Sequence, residues 1–166
     1  MSRNAGMARR LAPWISLAVL IILADQASKF WITQTLTHGE RRALTPFFDL
    51  TLTYNRGAAF SFLSDASGWQ RWFFIGIGCA AAVFIVVLLA RHGSQRLFAF
   101  SLSMILGGAL GNVIDRIIHG QVVDFLLLYW RGWFWPAFNL ADSAIVGGAI
   151  LLVLDELLRV RKSKSY

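Results

Sequence analysis

Nineteen consecutive residues, Trp72 to Ala90, carry no charge. As a helix rising 1.5 Å per residue they cover about 28 Å, close to the ~30 Å hydrocarbon core of a bilayer. A segment apolar on every face belongs in lipid, and that constrains the fold more than any other feature. Two further runs have similar length. Leu97 to Ile114 is interrupted only by Asn112, and residues 136–158 carry Asp142 near their start. Composition agrees: of 166 residues 57% are hydrophobic and 15% charged, with mean hydropathy +0.57. Soluble domains carry roughly 25% charged residues, so a soluble monomer, a disordered chain and a disulfide scaffold are all excluded. The lone Cys79 has no internal partner and says nothing about redox compartment.

The N-terminal run, 11–32, admits two readings. Arg3, Arg9 and Arg10 before a charge-free stretch from Leu11 to Ala24 fit the start of a secretory signal peptide. No A-x-A cleavage pattern follows Leu23, however, and Asp25 and Lys29 stand four apart, facing each other on a continued helix. A retained helix is the reading favoured here, with Asp25 and Lys29 a structural pair and Phe30 and Trp31 at the interface. The expectation is one domain over 1–166, with four spans (11–32, 72–90, 97–114 and 136–158) and outer segments at 33–71 and 115–140.

Positive charge orients the bundle. With the N-terminus inside, residues 1–10, 91–96 and 159–166 are cytoplasmic and hold nine of the 16 basic residues. The net charge of +7 thus reflects topology and attraction to membrane lipid, and requires no nucleic acid. In the first outer segment Leu50, Leu52 and Tyr54 alternate with Thr51 and Thr53, the period of a strand. Asn55-Arg56-Gly57 has turn chemistry, so a β-hairpin completed by Ala58 to Leu63 is expected on the outer surface. The second outer segment is rich in aromatic residues and reads as an interfacial belt.

Ionisable groups near membrane depth are expensive and mark functional sites by default. Asn112 and Arg116 share a helix face, whereas Asp115 points elsewhere; Gly107 and Gly111 before them permit close helix packing. Asp124 interrupts an apolar run. Asp142 stands three residues after Asn139, which makes a helix cap an alternative to a functional role. Both acids map to the outer rim, close enough in sequence to meet, and two adjacent carboxyls share a proton. Such a pair equips an aspartic protease, with one carboxylate activating water and the other polarising a carbonyl. His38, His92 and His119 are scattered, so zinc proteolysis is disfavoured. A cation-coupled transporter is the competing class, but its acids belong near the midplane.

Five blocks, taken in order, resemble one family. They are Asp25-Gln26-Ala27-Ser28-Lys29; Asn55-Arg56-Gly57-Ala58-Ala59-Phe60-Ser61; Gly107 through Arg116; Val122-Val123-Asp124-Phe125; and Phe138 through Ser143. The pattern is similar to the bacterial lipoprotein signal peptidases (signal peptidase II). The resemblance implies an all-α integral membrane protein of four helices, both termini cytoplasmic, with a small β-hairpin or cradle on the periplasmic surface. It implies an aspartic endopeptidase of the inner membrane that cuts diacylglyceryl-modified prolipoproteins just before the lipidated cysteine. Asp124 and Asp142 carry over as the catalytic pair. Asn55, Gly57, Asn112, Arg116 and Asn139 carry over as groups that bind substrate or support the dyad, beside the structural polar residues Asp25, Lys29 and Asp115. No metal and no cofactor are implied; a monomer is, together with inhibition by antibiotics of the globomycin type.

Overall fold

The computed structural model describes residues 2–57 and 68–163. The chain forms α1 (Ser2–Thr35), β1 (Arg41–Thr45), β2 (Phe48–Asn55), α2 (Trp69–His92), α3 (Arg96–His119), β3 (Val122–Trp130), β4 (Trp133–Phe134) and α4 (Leu140–Ser163). Among the described residues three helices are long and apolar enough to cross a membrane: Arg10–Thr35 of α1, α2 and α3. The fourth, α4, has 24 residues and packs along α3, but carries Asp142 at its start and Asp155 and Glu156 near its end. Much of the outward surface is large and apolar, including Leu20, Trp72, Val83, Phe84 and Ile150, the surface a lipid-facing bundle presents.

α3 is the central helix and touches the other three. Hydrocarbon offers no hydrophobic drive for helices to associate, so close backbone approach through small residues replaces it. Gly107 faces α1, where an added Cβ would lie 2.8 Å from the Ala18 carbonyl oxygen. Gly108 faces α4, where a Cβ would collide with the Ala141 carbonyl oxygen and lie 2.8 Å from Ile145 Cγ1. At Gly111 the obstruction would be Asp25 Oδ2, at 2.7 Å. At the far end Trp14 Nε1 donates to the Gly93 carbonyl at 2.8 Å, and Arg159 donates to Gln95, tying α1 and α4 to the turn between α2 and α3. The start of α1 and the end of α4 therefore lie at the end opposite the sheet.

The strands form one antiparallel sheet in the order β1-β2-β3-β4. Leu52, Val123 and Phe125 close a small core with Ile32 and Leu36, which clamps the end of α1 to the sheet. Leu50–Tyr54 is a strand, within β2, and pairs with the upstream β1 and with β3; the expected hairpin arm Ala58 to Leu63 lies outside the described residues. Two expectations need correction here. The outer β-element is a four-stranded sheet rather than a hairpin, because the aromatic segment read as a belt contributes β3 and β4. The last helix starts at Leu140 and not at residue 136. Phe138 is held extended, donating to the Leu126 carbonyl at 3.0 Å and accepting from the Leu126 N–H at 2.8 Å.

The packing generates a test. Forcing extra carbons into a tight interface costs roughly 1–3 kcal/mol or more. Gly108→Val should lower the thermal midpoint of the purified protein clearly, whereas Gly76→Ala, with nothing within 4 Å of its added carbon, should leave it unchanged. Equal midpoints for the two variants would contradict the tight α3–α4 contact.

Candidate active site

The polar centre begins on α1, where the i, i+4 spacing puts Asp25 and Lys29 on one face, both buried. The Lys29 ammonium has three protons and meets three acceptors: Asp25 Oδ2 at 2.7 Å, Asp115 Oδ2 at 2.9 Å and Asn112 Oδ1 at 3.0 Å. Asp25 spends its other oxygen on the backbone N–H of Ala141, 2.9 Å away in the first turn of α4. Asp115 accepts from Gln26 Nε2 at 2.8 Å and from the Val123 N–H at 3.1 Å, which anchors β3 to α3. The expected Asp25–Lys29 pair is thus part of a larger hub, and Asp115, which points away from the Asn112 face, points into it.

Asn139 organises the start of α4. Its Oδ1 accepts from the Asp142 N–H at 2.9 Å, while Asp142 Oδ2 accepts from the Asn139 N–H at 3.2 Å, a reciprocal capping box. The cap reading of these two residues therefore holds, and it leaves the other ends of both side chains free for a second task. Asn139 Nδ2 donates to Asp124 Oδ1 at 2.7 Å, with Asn112 Oδ1 and the Val123 carbonyl each at 3.2 Å. Asp142 Oδ1 accepts from Asn112 Nδ2 at 2.7 Å. The Asn112 amide orientation follows from its partners: two donors, Lys29 and Asn139, surround its oxygen, so its NH₂ faces Asp142.

Asp124 sits on β3, paired across the sheet with Thr53, and only 2% of it is exposed. Asn55, two residues further along β2, also hydrogen-bonds its carboxyl. The Gly57 N–H donates to Asn55 Oδ1 at 2.8 Å, so the Asn55 NH₂ is the end left to face Asp124. Gly57 adopts φ 99°, a left-handed conformation that favours glycine. Burial, followed by the neighbouring Asp142 carboxylate, pushes the Asp124 pKa up to about 7; the bonds from Asn55 and Asn139 and the Lys29 charge act in the opposite direction.

Arg116 lies beside this centre, donating from Nη1 to the Asn112 carbonyl at 3.2 Å with its guanidinium 4.9 Å from the centre of the Phe74 ring. Its Nε is buried and has no hydrogen-bond partner among the described residues. The sequence-derived candidates therefore fall into one connected set of hydrogen bonds, with Gly57 joined through its N–H to Asn55 and Arg116 through the Asn112 carbonyl. Gln26 was missed as a partner of Asp115, and so were the backbone N–H groups of Val123 and Ala141. Backbone donors leave no signal in a sequence, but Gln26 stood within a quoted block. An apolar hollow of about 590 Å³ between Phe47, Leu128 and Trp135 lies four or more residues along β3 from Asp124. The chemistry is set by the polar cluster and not by that hollow.

Comparison with known proteins follows the same lines. Residues 17–158 match the family model described as signal peptidase (SPase) II. A lipoprotein signal peptidase of Ralstonia nicotianae is 59% identical over 159 residues, covering 96% of this chain and 92% of its own. One from Burkholderia mallei is 57% identical over 164 residues, covering 99% and 98%. A solved bacterial membrane enzyme, determined by the in meso method at 2.3 Å, superposes with a TM-score of 0.80 at 32% identity. That match covers 93% of this chain and 92% of the other. A second such structure, at 1.9 Å, gives a TM-score of 0.79 at 32% identity, covering 89% and 94%.

The raised Asp124 pKa has a consequence for stability. An unfolded aspartate releases its proton near 3.8, whereas folded Asp124 holds it to about 7, so stability falls as pH rises between those values. Asp124→Asn escapes that loss. It should melt several degrees above the native chain at pH 8, with the difference shrinking as the pH drops toward 4. A difference independent of pH would show that Asp124 is not held protonated by its surroundings.

Proposed function

The chain belongs to the signal peptidase II family, membrane aspartic proteases that remove signal peptides from prolipoproteins, and we propose that Asp124 and Asp142 are the pair that carries its chemistry. One observation supports this most directly: both carboxyls are bonded to one buried residue, Asn139, Asp124 to its side-chain NH₂ and Asp142 to its backbone N–H, and Asp124 holds its proton up to about 7. In this reading Asp124 enters the reaction protonated and donates its hydrogen bond to the scissile carbonyl. Asp142 accepts N–H bonds from Asn112 and Asn139 at the positive end of the α4 dipole, so it takes the proton of the attacking water as base. The tetrahedral intermediate then collapses as the proton passes to the leaving amine, and the dyad returns to one shared proton. In this reading Asn55 and the guanidinium of Arg116 donate to peptide carbonyls, while Asn112 and Asn139 hold the two acids.

The substrate proposed is a prolipoprotein bearing diacylglyceryl on its cysteine, cut just before that residue. A groove of about 400 Å³ between Leu20, Ile21, Met104, Leu140 and Ala144 opens beside the start of α4 and suits an apolar chain arriving from the bilayer. We assign α4 as the fourth span of one domain that works as a monomer. Arg91, Arg96, Arg159 and Arg161 lie at the end of the bundle away from the sheet, which supports cytoplasmic termini and a periplasmic active site on the inner membrane. Antibiotics of the globomycin type would compete for the same groove.

Purified protein with a synthetic diacylglyceryl-modified prolipoprotein tests the dyad. Asp124→Asn and Asp142→Asn should each lose about 10³-fold or more in kcat while remaining folded. The native pH profile should be bell-shaped, with its alkaline limb near the Asp124 value of about 7. Retained cleavage by either variant would remove that residue from the reaction.

A further inference from the structure

Outside the dyad, the described residues hold a second polar cavity, of about 440 Å³, where the end of α3 meets the start of α2 and the end of β2. Three of its side chains are basic: Arg56, Arg71 and His119; among the described residues none that lines it is acidic. Arg71 is fixed in place. Its Nη2 donates to the Ile117 carbonyl at 2.8 Å, and its side chain runs against Gly120, whose φ of 75° closes α3 without a Cβ in the way. The Arg71 Nε is buried and has no partner among the described residues. Among the described residues Arg56 holds Gln121 by one long contact of 3.5 Å, which uses one of its five donors. The first turn of α2 adds to this field, with no acidic residue and no side-chain cap on its N–H groups.

Two arginines and a histidine around a cavity with no acidic side chain among the described residues call for an anion, and the fork of arginine donors matches phosphate oxygens. The surroundings identify which kind. Trp72, 5.1 Å from the Arg71 guanidinium, and Ile117 and Ile118 below it are exposed on the outer surface of α2 and α3. A free phosphate would leave that apolar surface uncovered, whereas a phospholipid would set its acyl chains along it. We propose that this cavity binds the phosphate of an anionic glycerophospholipid, with Arg56, Arg71 and His119 as its donors and Trp72 and Ile118 against its chains. The site is separate from the hydrogen-bonded carboxyl network and stands whether or not the dyad assignment does.

Full-length protein in neutral detergent, given phosphatidylglycerol and phosphatidylcholine in equal amounts, should retain the anionic lipid at least about tenfold better by native mass spectrometry. That margin corresponds to a discrimination of about 1.4 kcal/mol. Because Arg71 also holds the end of α3, the informative variant is the double change Arg56→Gln/His119→Gln, checked for an unchanged melting temperature. It should fall to the phosphatidylcholine level, and Arg56→Lys alone should keep most of the preference. Equal retention of the two lipids, or full retention by the double variant, would overturn the proposal. Displacement of the lipid by millimolar inorganic phosphate would overturn the lipid assignment in favour of a free-anion site.

Discussion

A lysine ammonium buried among helices is costly unless every proton and the charge itself are matched, and here the matching defines the architecture. Lys29 is 3% exposed and is shared by Asp25 on its own helix and by Asp115 and Asn112 on α3. Each partner then spends its remaining valence on a different element. Asp25 takes the Ala141 N–H at the start of α4, Asp115 takes the Val123 N–H on β3, and Asn112 takes Asp142. One cation thereby sets the relative positions of three helices and a strand. Removing a single partner from such a group typically costs about 3–5 kcal/mol, because an uncompensated charge is left inside. The glycines of α3 matter for the same reason: a side chain at Gly111 would lie on the Asp25 carboxylate and break the hub at its root.

The same hub decides what the two proposed catalytic acids can do. Asn112 is an amide with two ends, and the Lys29 ammonium at its oxygen forces its NH₂ toward Asp142. Asn139 works likewise, with its oxygen occupied by the Asp142 N–H and its NH₂ turned toward Asp124. Each acid is thus oriented by an amide that could not flip without losing a bond elsewhere. Structural and chemical roles are not rivals at Asp142, because the reciprocal cap uses Oδ2 while Oδ1 faces Asn112. Environment then separates two acids of equal intrinsic strength. Asp124 is on a buried strand and holds its proton, and Asp142 stands at a helix N-terminus among N–H donors.

Much of this was legible in sequence because it depends on period and spacing. The charge-free runs located α2 and α3, the four-residue interval paired Asp25 with Lys29, and the three-residue interval from Asn139 to Asp142 announced a cap. What escaped depends on pairing between distant segments. Val122 to Trp130 has few polar residues to alternate with, so its strand periodicity is invisible and its aromatic residues imitate an interfacial belt. The strand follows from neighbours that sequence cannot name: β2 on one side and the extended stretch at Phe138 on the other. Asp115 shows the limit well. Its angular separation from Asn112 was readable, but the lysine it faces lies 86 positions earlier in the chain.

Acids proposed to cut a bond in a lipid-anchored substrate face opposing demands. Deep in hydrocarbon a carboxylate is too expensive to ionise and water is scarce; in open solvent both carboxyls ionise and no shared proton survives. The ends of α3 and α4, roofed by β2 and β3, satisfy both. Burial under the sheet is strong enough to keep Asp124 protonated up to about 7, while Asp142 beside it stands at a helix terminus and accepts N–H bonds from Asn112 and Asn139. The sheet is therefore more than an appendage to a helical bundle. Without β3 there would be no buried backbone to carry Asp124 across to the cap of α4, and the bundle would present one acid where the proposed chemistry uses two.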